Sequence, residues 1–240
     1  AYTVVDGHHI TLGKNDYVLT PNGCWHDHGV AADGQLSIWQ DGLDIPLMNC
    51  MESNFYAVYD APAQTPGFPA DDLPLSYGGA MQPDGVEAWA RPFSPTMVYR
   101  WEQVRDAIWN FAKVSDGSPF DGHIMRYSNP RTGGWALQTM GAHMQMLKGG
   151  LHTRAHRHTG NVVYNVAQGR GYSVIGGRRF DWAEHDIFCV PAWTWHEHVN
   201  LDPSEEAFLF SFNDFPVMEA LGVRIEEALE DKDGRQPVQA

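Results

Sequence analysis

Three short stretches of the chain place histidines where they could act together. In "HTRAHRHTG" His156 and His158 are two residues apart, "WHEHVN" carries His196 and His198, and "WHDHG" at 25–29 carries His26 and His28. Along an extended strand, side chains two apart point to the same face. An H-x-H pair therefore presents two imidazoles to one point, and His196, 38 residues after His158, can add a third. Three imidazoles converging from two strands make a facial metal site of a kind that suits iron, copper, nickel or zinc. The bland reading of His156 and His158, beside Arg154 and Arg157, is a solvated basic strand, and the third histidine favours the metal. His143 and His152 read as ordinary polar side chains. His8 and His9 in a turn, and His185 before Asp186, read as solvent-exposed.

The elements that must position these residues occur twice. Residues 1–30 lie over residues 171–200 at a constant offset of 170, without a gap. Tyr2/Tyr172, Val4/Val174, Gly7/Gly177, Asp16/Asp186, Pro21/Pro191, Trp25/Trp195, His26/His196 and His28/His198 are identical, and Asp27/Glu197 exchange like for like. A repeat of this kind signals two copies of one supersecondary unit. The second copy extends upstream through 149–171, and subtracting 170 from His156 and His158 gives positions before Ala1. The partners of His26 are thus expected outside this chain, which would begin inside its first domain.

Each copy is punctuated as short strands. "AYTVVDG" and "GYSVIGG" alternate apolar and polar residues into a glycine turn, the chemistry of a hairpin. "DYVLTP" and "DIFCVP" each run from an Asp to a proline. Regular short strands of this type close into barrels or sandwiches. Residues 52–93, rich in Pro and Gly, read as a connection with little regular structure. "SPTMVYRWEQVRDAIWNFAKV" reads as a helix near 95–113, with Ser94 as N-cap and Val98, Trp101, Val104, Ile108 and Phe111 on one stripe. Its Glu102 and Asp106 read as a solvated face rather than a paired-carboxylate site. After "AFLFSFNDFPV" the tail reads as a short helix and a frayed end.

Composition limits the partners. A net charge of −14 argues against nucleic acid, which needs clustered Lys and Arg. No apolar run approaches the roughly 20 residues of a membrane helix. Three cysteines, Cys24, Cys50 and Cys189, without a CxxC pair, suggest a reduced, cytoplasmic setting.

These residues resemble the cupin superfamily. Gly150, His156, His158 and Gly169 match its first motif, and Pro191, His196 and Asn200 its second, while Val162 stands where the first motif has a glutamate. The first copy keeps only the second motif, with Pro21, Gly23 and His26, and Val30 replaces its Asn. More narrowly, "TPNGCWHDHG", "DGLDIPL", "SNPRTGGWALQTM", "LHTRAHRHT" and "VPAWTWHEHVN" are similar to gentisate 1,2-dioxygenases and their salicylate and 1-hydroxy-2-naphthoate relatives.

The resemblance implies a mainly β bicupin (two double-stranded β-helix or jelly-roll domains) with a helical segment between them. The boundaries it implies are the C-terminal half of a first barrel at 1–48, a linker at 49–130, a second barrel at 131–213 and a helix and tail at 214–240. It further implies Fe(II) held by three neutral histidines, with His26 a ligand of the first site and His156, His158 and His196 the ligands of a second. His28 would stand beside substrate and O2 as a donor or proton shuttle, oriented by Asp41. Asp41 before Gly42 is equally well read as a turn residue, and Asp44 shares that ambiguity. The partners implied are a small aromatic hydroxy acid, O2, and further copies in a dimer or tetramer, with neither nucleic acid nor membrane. A non-catalytic cupin that binds a metal or small acid is the alternative from another class.

Overall fold

The computed structural model describes residues 1–30, 34, 36–79, 81–86 and 89–238. They form two compact units, 1–103 with 128–137, and 104–127 with 138–240.

In the first unit β1 (Tyr2–Val5) and β2 (His8–Thr11) form the expected hairpin, with both turn residues at positive φ, Asp6 at 46° and Gly7 at 83°. Paired positive φ values are what a two-residue turn needs to match strand twist. After β3 (Tyr17–Val18), β4 (His26–Gly29) joins the other edge of β1. Among the described residues the sheet order is β2-β1-β4, so β4 is an edge strand. Two short helices follow, α1 (Ile45–Cys50) and α2 (Asp72–Tyr77). Val5, Ile10, Leu19, Leu73, Phe93, Met97 and Val98 form this unit's core.

The helix expected from Ser94 begins later. Val98–Tyr99 is a strand, β5, paired with β3, and only α3 (Trp101–Ala112) is helical. Ser94 is not its cap. It is fully buried, and its amide donates to the Ala136 carbonyl. The amide of Trp101 donates instead to the Asp16 carboxylate at 2.9 Å, so a residue 85 positions away caps the helix. Ile108 is its buried anchor, and Glu102 and Asp106 are exposed.

The second unit is a complete jelly roll of two five-stranded antiparallel sheets. Its strands are β6 (His123–Arg126), β7 (Gly141–Leu147), β8 (His156–His158), β9 (Val162–Gln168), β10 (Arg170–Ile175), β11 (Arg178–Ala183), β12 (Ile187–Val190), β13 (His196–Asn200), β14 (Ala207–Asn213) and, after α4 (Phe215–Ala220), β15 (Glu226–Ala228). The sheet orders are β11-β10-β13-β8-β15 and β12-β9-β14-β7-β6. Met144, Met146, Leu147, Val166, Phe208 and Leu209 fill the space between them. The tail is not frayed: Glu226–Ala228 pairs with His156–His158, and a single 3-10 turn follows at Lys232–Gly234.

The repeat persists beyond its sequence signal. The Gln236 amide side chain accepts from Gly177 N–H and donates to the Val174 carbonyl, while its backbone N–H donates to Glu197. In the first unit Gln64 bonds Gly7, Val4 and Asp27 in the same way. Each pair of partners differs by 170, but the two glutamines differ by 172, so a gapless comparison misses them.

Candidate metal centre

His156 and His158 project from β8 into the second barrel, and His196, at the start of β13, lies directly opposite His156 in the ladder. One ring nitrogen from each of the three falls within 4.8 Å of the others, and all three residues are buried. Arg157, between the pair, faces the other way. Its guanidinium lies between the rings of Trp193 and Trp195 and bonds Glu227. The imidazoles share one face of β8 and the basic residue between them takes the other.

The electrostatics suit a cation. Burial, then the charges of His158, His198 and Arg224, hold the His156 pKa down to about 3. Burial, then Arg224, holds His158 down to about 4. His196 is pushed well below the usual value by burial, then by His156 and His158. All three are therefore neutral at physiological pH, the form in which imidazole ligates a metal. His196 Nδ1 lies 3.0 Å from the Thr194 carbonyl, which can only accept, so Nδ1 carries the proton. Its Nε2 is left as a buried lone pair with no hydrogen-bond partner. A buried acceptor without a partner is costly, and a divalent cation among the three rings would satisfy it. The residues present fit a metal.

Three further groups lie around the three imidazoles. Asp121, in the loop before β6, places Oδ1 3.8 Å from His156 Nε2, and burial raises its pKa to about 6. His198 has its Nδ1 2.8 Å from Ser173 Oγ, which accepts from Trp182 Nε1, and its buried Nε2 has no partner. His143 is held down to about 4, chiefly by burial, and pairs with Asn213. His152 bonds Glu197, which is 1% exposed. Only His198 had a signal in the sequence, its alignment with His28.

In the first unit His26 and His28 share one face of β4, ring centroids 5.5 Å apart, and both are exposed. The register repeats that of the second barrel: Val5 faces His26 and Thr3 faces His28, as Ile175 faces His196 and Ser173 faces His198. His26 Nδ1 approaches the Cys24 carbonyl at 3.4 Å, the counterpart of the Thr194 contact, and again leaves Nε2 to present. His28 packs against Trp39, and its pKa is lowered by burial and then by His26, while Asp41 and Asp27 oppose the shift. Asp41 thus lies close enough to act on His28 electrostatically. Asp44 accepts from the Asn22 side chain at the start of α1. His8 and His9 are half-buried rather than solvent-exposed: His8 bonds Asp72 and stacks on Phe68, and His9 stacks on Tyr2. His185 is exposed, as expected.

Comparison with known proteins agrees with this architecture. Residues 142–212 match the family model of the cupin domain. The chain is 37% identical over 228 residues to a 5-aminosalicylate 1,2-dioxygenase of Comamonas sp, covering 95% of this chain and 59% of that protein. It is 34% identical to gentisate 1,2 dioxygenase 1 of Aquipseudomonas alcaligenes, covering 92% and 62%. A solved structure of a variant salicylate 1,2-dioxygenase from Pseudoaminobacter salicylatoxidans, in complex with gentisate, superposes with a TM-score of 0.81 at 26% identity. That match covers 94% of this chain and 63% of that one. The chain spans about 60% of the length of the curated relatives it matches.

Proposed function

We propose that this chain, a cupin-fold relative of the gentisate-type 1,2-dioxygenases, is part of an iron(II)-dependent enzyme that cleaves the ring of a hydroxylated aromatic acid. Gentisate, opened to maleylpyruvate, is the first candidate substrate. The observation that carries the metal is the buried set His156, His158 and His196 with the unpaired Nε2 of His196. The relatives carry the reaction class.

Ferrous iron, when bound, supplies the Lewis acidity and electron path through which a hydroxy-acid ring and dioxygen react. The residues of the chain do the rest. His156, His158 and His196 hold the second centre, and Val162, buried and apolar on β9, adds no charge to it. Three neutral ligands leave the cation's full charge in place, which favours an anionic acid chelating through carboxylate and adjacent hydroxyl. In the first unit His26 presents Nε2 as a ligand. His28, two residues on and on the same face, stands beside the bound acid as a hydrogen-bond donor or proton shuttle. Asp41 favours its protonated form.

The 5-aminosalicylate relative supports a second reading, in which a salicylate or 1-hydroxy-2-naphthoate is the acid cleaved. Oxygen uptake by the whole protein with ferrous iron and a panel of gentisate, salicylate and 1-hydroxy-2-naphthoate separates the readings. No uptake and no ring-opened product with any of the three sinks the enzyme assignment.

A further inference from the structure

Beside the three histidines, the second barrel buries two polar side chains that the described residues leave unmet. Gln145, on β7, is fully buried, and neither its Oε1 nor its Nε2 has a hydrogen-bond partner. His198, on β13, is buried as completely, and its Nε2 has no partner. Groups of this kind cost stability unless a ligand meets them.

The ladders place the two in one layer. Gln145 shares a face of β7 with His143, which lies in a row with Ser211, Tyr164 and Phe188. Tyr164 and Phe188 turn their rings to His198, at centroid distances of 4.9 and 5.9 Å, so this face looks into the barrel. Phe215 packs against both His143 and His158, while Asn200 Nδ2 donates to the Leu147 carbonyl at 3.0 Å. One end of the interior thus holds His143 and the triad, the other Leu147 and Asn200. Gln145 stands midway between His143 and Leu147 on β7, and His198 midway between His196 and Asn200 on β13. They face each other from opposite sheets, one layer below the triad.

The proton of His198 is set from behind. Ser173 Oγ accepts from Trp182 Nε1 at 3.0 Å and lies 2.8 Å from His198 Nδ1. Among the described residues the hydroxyl proton has no other acceptor, so it goes to Nδ1 and the imidazole carries its own proton on Nε2. In the first unit the matching Thr3 Oγ1 donates to the Asp27 carbonyl, and Leu12 stands where Trp182 does, so this relay belongs to the second barrel. Among the described residues the ligand atoms within 4.8 Å of one another come from His156, His158 and His196, without His198. Its N–H serves what a metal binds, not the metal.

We propose that Gln145 and His198 form an oxyanion subsite beside the second barrel's metal, donating through their Nε2–H groups to the carboxylate of an acid that the metal holds, with Ser173 and Trp182 positioning the imidazole. This rests on the metal reading of the triad and leaves its three neutral histidines as the protein ligands.

The full chain is loaded with cobalt(II), and formate and salicylate are each titrated against its visible spectrum. His156→Ala identifies the signal of this centre. Gln145→Leu is expected to keep the cobalt affinity and to weaken carboxylate binding about 10-fold. Without ligand it should melt no lower than the unaltered chain, since an apolar side chain ends the unmet burial. Ser173→Ala is expected to weaken the same carboxylates and to let the His198 proton populate Nδ1, read from imidazole nitrogen chemical shifts in zinc-loaded protein. A response to formate alone supports a subsite for a small carboxylate, and a response to salicylate supports one for an aromatic acid. Undiminished carboxylate affinity in Gln145→Leu overturns the subsite, and so does a lower melting temperature with lost cobalt, which marks a packing role. Undiminished affinity in Ser173→Ala overturns the relay. Cobalt bound with no response to either carboxylate overturns the subsite while the histidine centre stands. If the unaltered chain binds no cobalt, or His156→Ala binds as much, the histidine centre itself fails and this proposal with it.

Discussion

The chemistry of each imidazole is decided by which nitrogen its neighbours leave free. The Thr194 carbonyl fixes the proton of His196 on Nδ1, and the Cys24 carbonyl does the same for His26, so both present Nε2. The two histidines differ in their surroundings. His196 faces His156 and His158 inside a closed barrel, whereas His26 stands exposed with His28 beside it. We therefore expect metal analysis of the purified chain to show His156→Ala and His196→Ala losing nearly all bound divalent metal and His26→Ala keeping it. Loss confined to His26→Ala would contradict the assignment of the second barrel. Spacing alone made His156 and His158 legible as a pair, because a strand's period of two fixes which side chains share a face, whereas the place of His196 depends on the ladder. Asp121 was not legible, because a loop has no period and its carboxylate meets His156 only through tertiary closure.

At the scale of elements, the barrel interior carries a cost that depends on pH. Burial holds His156 near 3 and His143 and His158 near 4, against 6.5 in an unfolded chain. Between those values the unfolded chain takes up protons that the folded one refuses, so stability present near neutrality is lost as pH falls through about 6.5 towards 4. The melting temperature of metal-free protein should fall steadily over that window, and His143→Gln should make the fall shallower. An unchanged slope would show that His143 does not contribute. The glutamine clip gives a second test. Gln236→Ala leaves Gly177 N–H and the Val174 carbonyl without their partner, and should destabilise the second unit by about 1–3 kcal/mol in denaturant unfolding. The hairpins were readable because Asp6-Gly7 and Gly176-Gly177 satisfy a turn with two positive φ values. The start of α3 was misread because Ser94-Pro95 is a good local cap signal. The pairing of β5 with β3 and the distant Asp16 outweigh it, and tertiary context overrides propensity in this way.

For the molecule as a whole, the two copies share a pattern but not their surroundings. In the second unit Phe208 and Leu209 on β14 are fully buried between β7 and β9. In the first unit Ile38 and Trp39 are 89% and 43% exposed, and Leu36, Phe55, Tyr56 and Val58 are at least 80% exposed. Exposed apolar groups of this size promote association. The chain studied by itself should self-associate with rising concentration in sedimentation experiments, and combined Leu36→Ser, Ile38→Ser and Tyr56→Ser changes should reduce this. No helix among the described residues is long and apolar enough to cross a membrane, and all three cysteines are free.

The sequence by itself determined the repeat, the strand-and-turn grammar and the histidine pairs, because each depends on spacing along one strand or the chemistry of one turn. Tertiary structure decided what spacing cannot carry. It placed His196 against His156, closed a glycine-bracketed loop so that Asp121 faces His156, and pinned both hairpins with glutamines from outside the repeat. Those contacts join residues tens of positions apart, and only the closure of the barrel brings them within bonding distance.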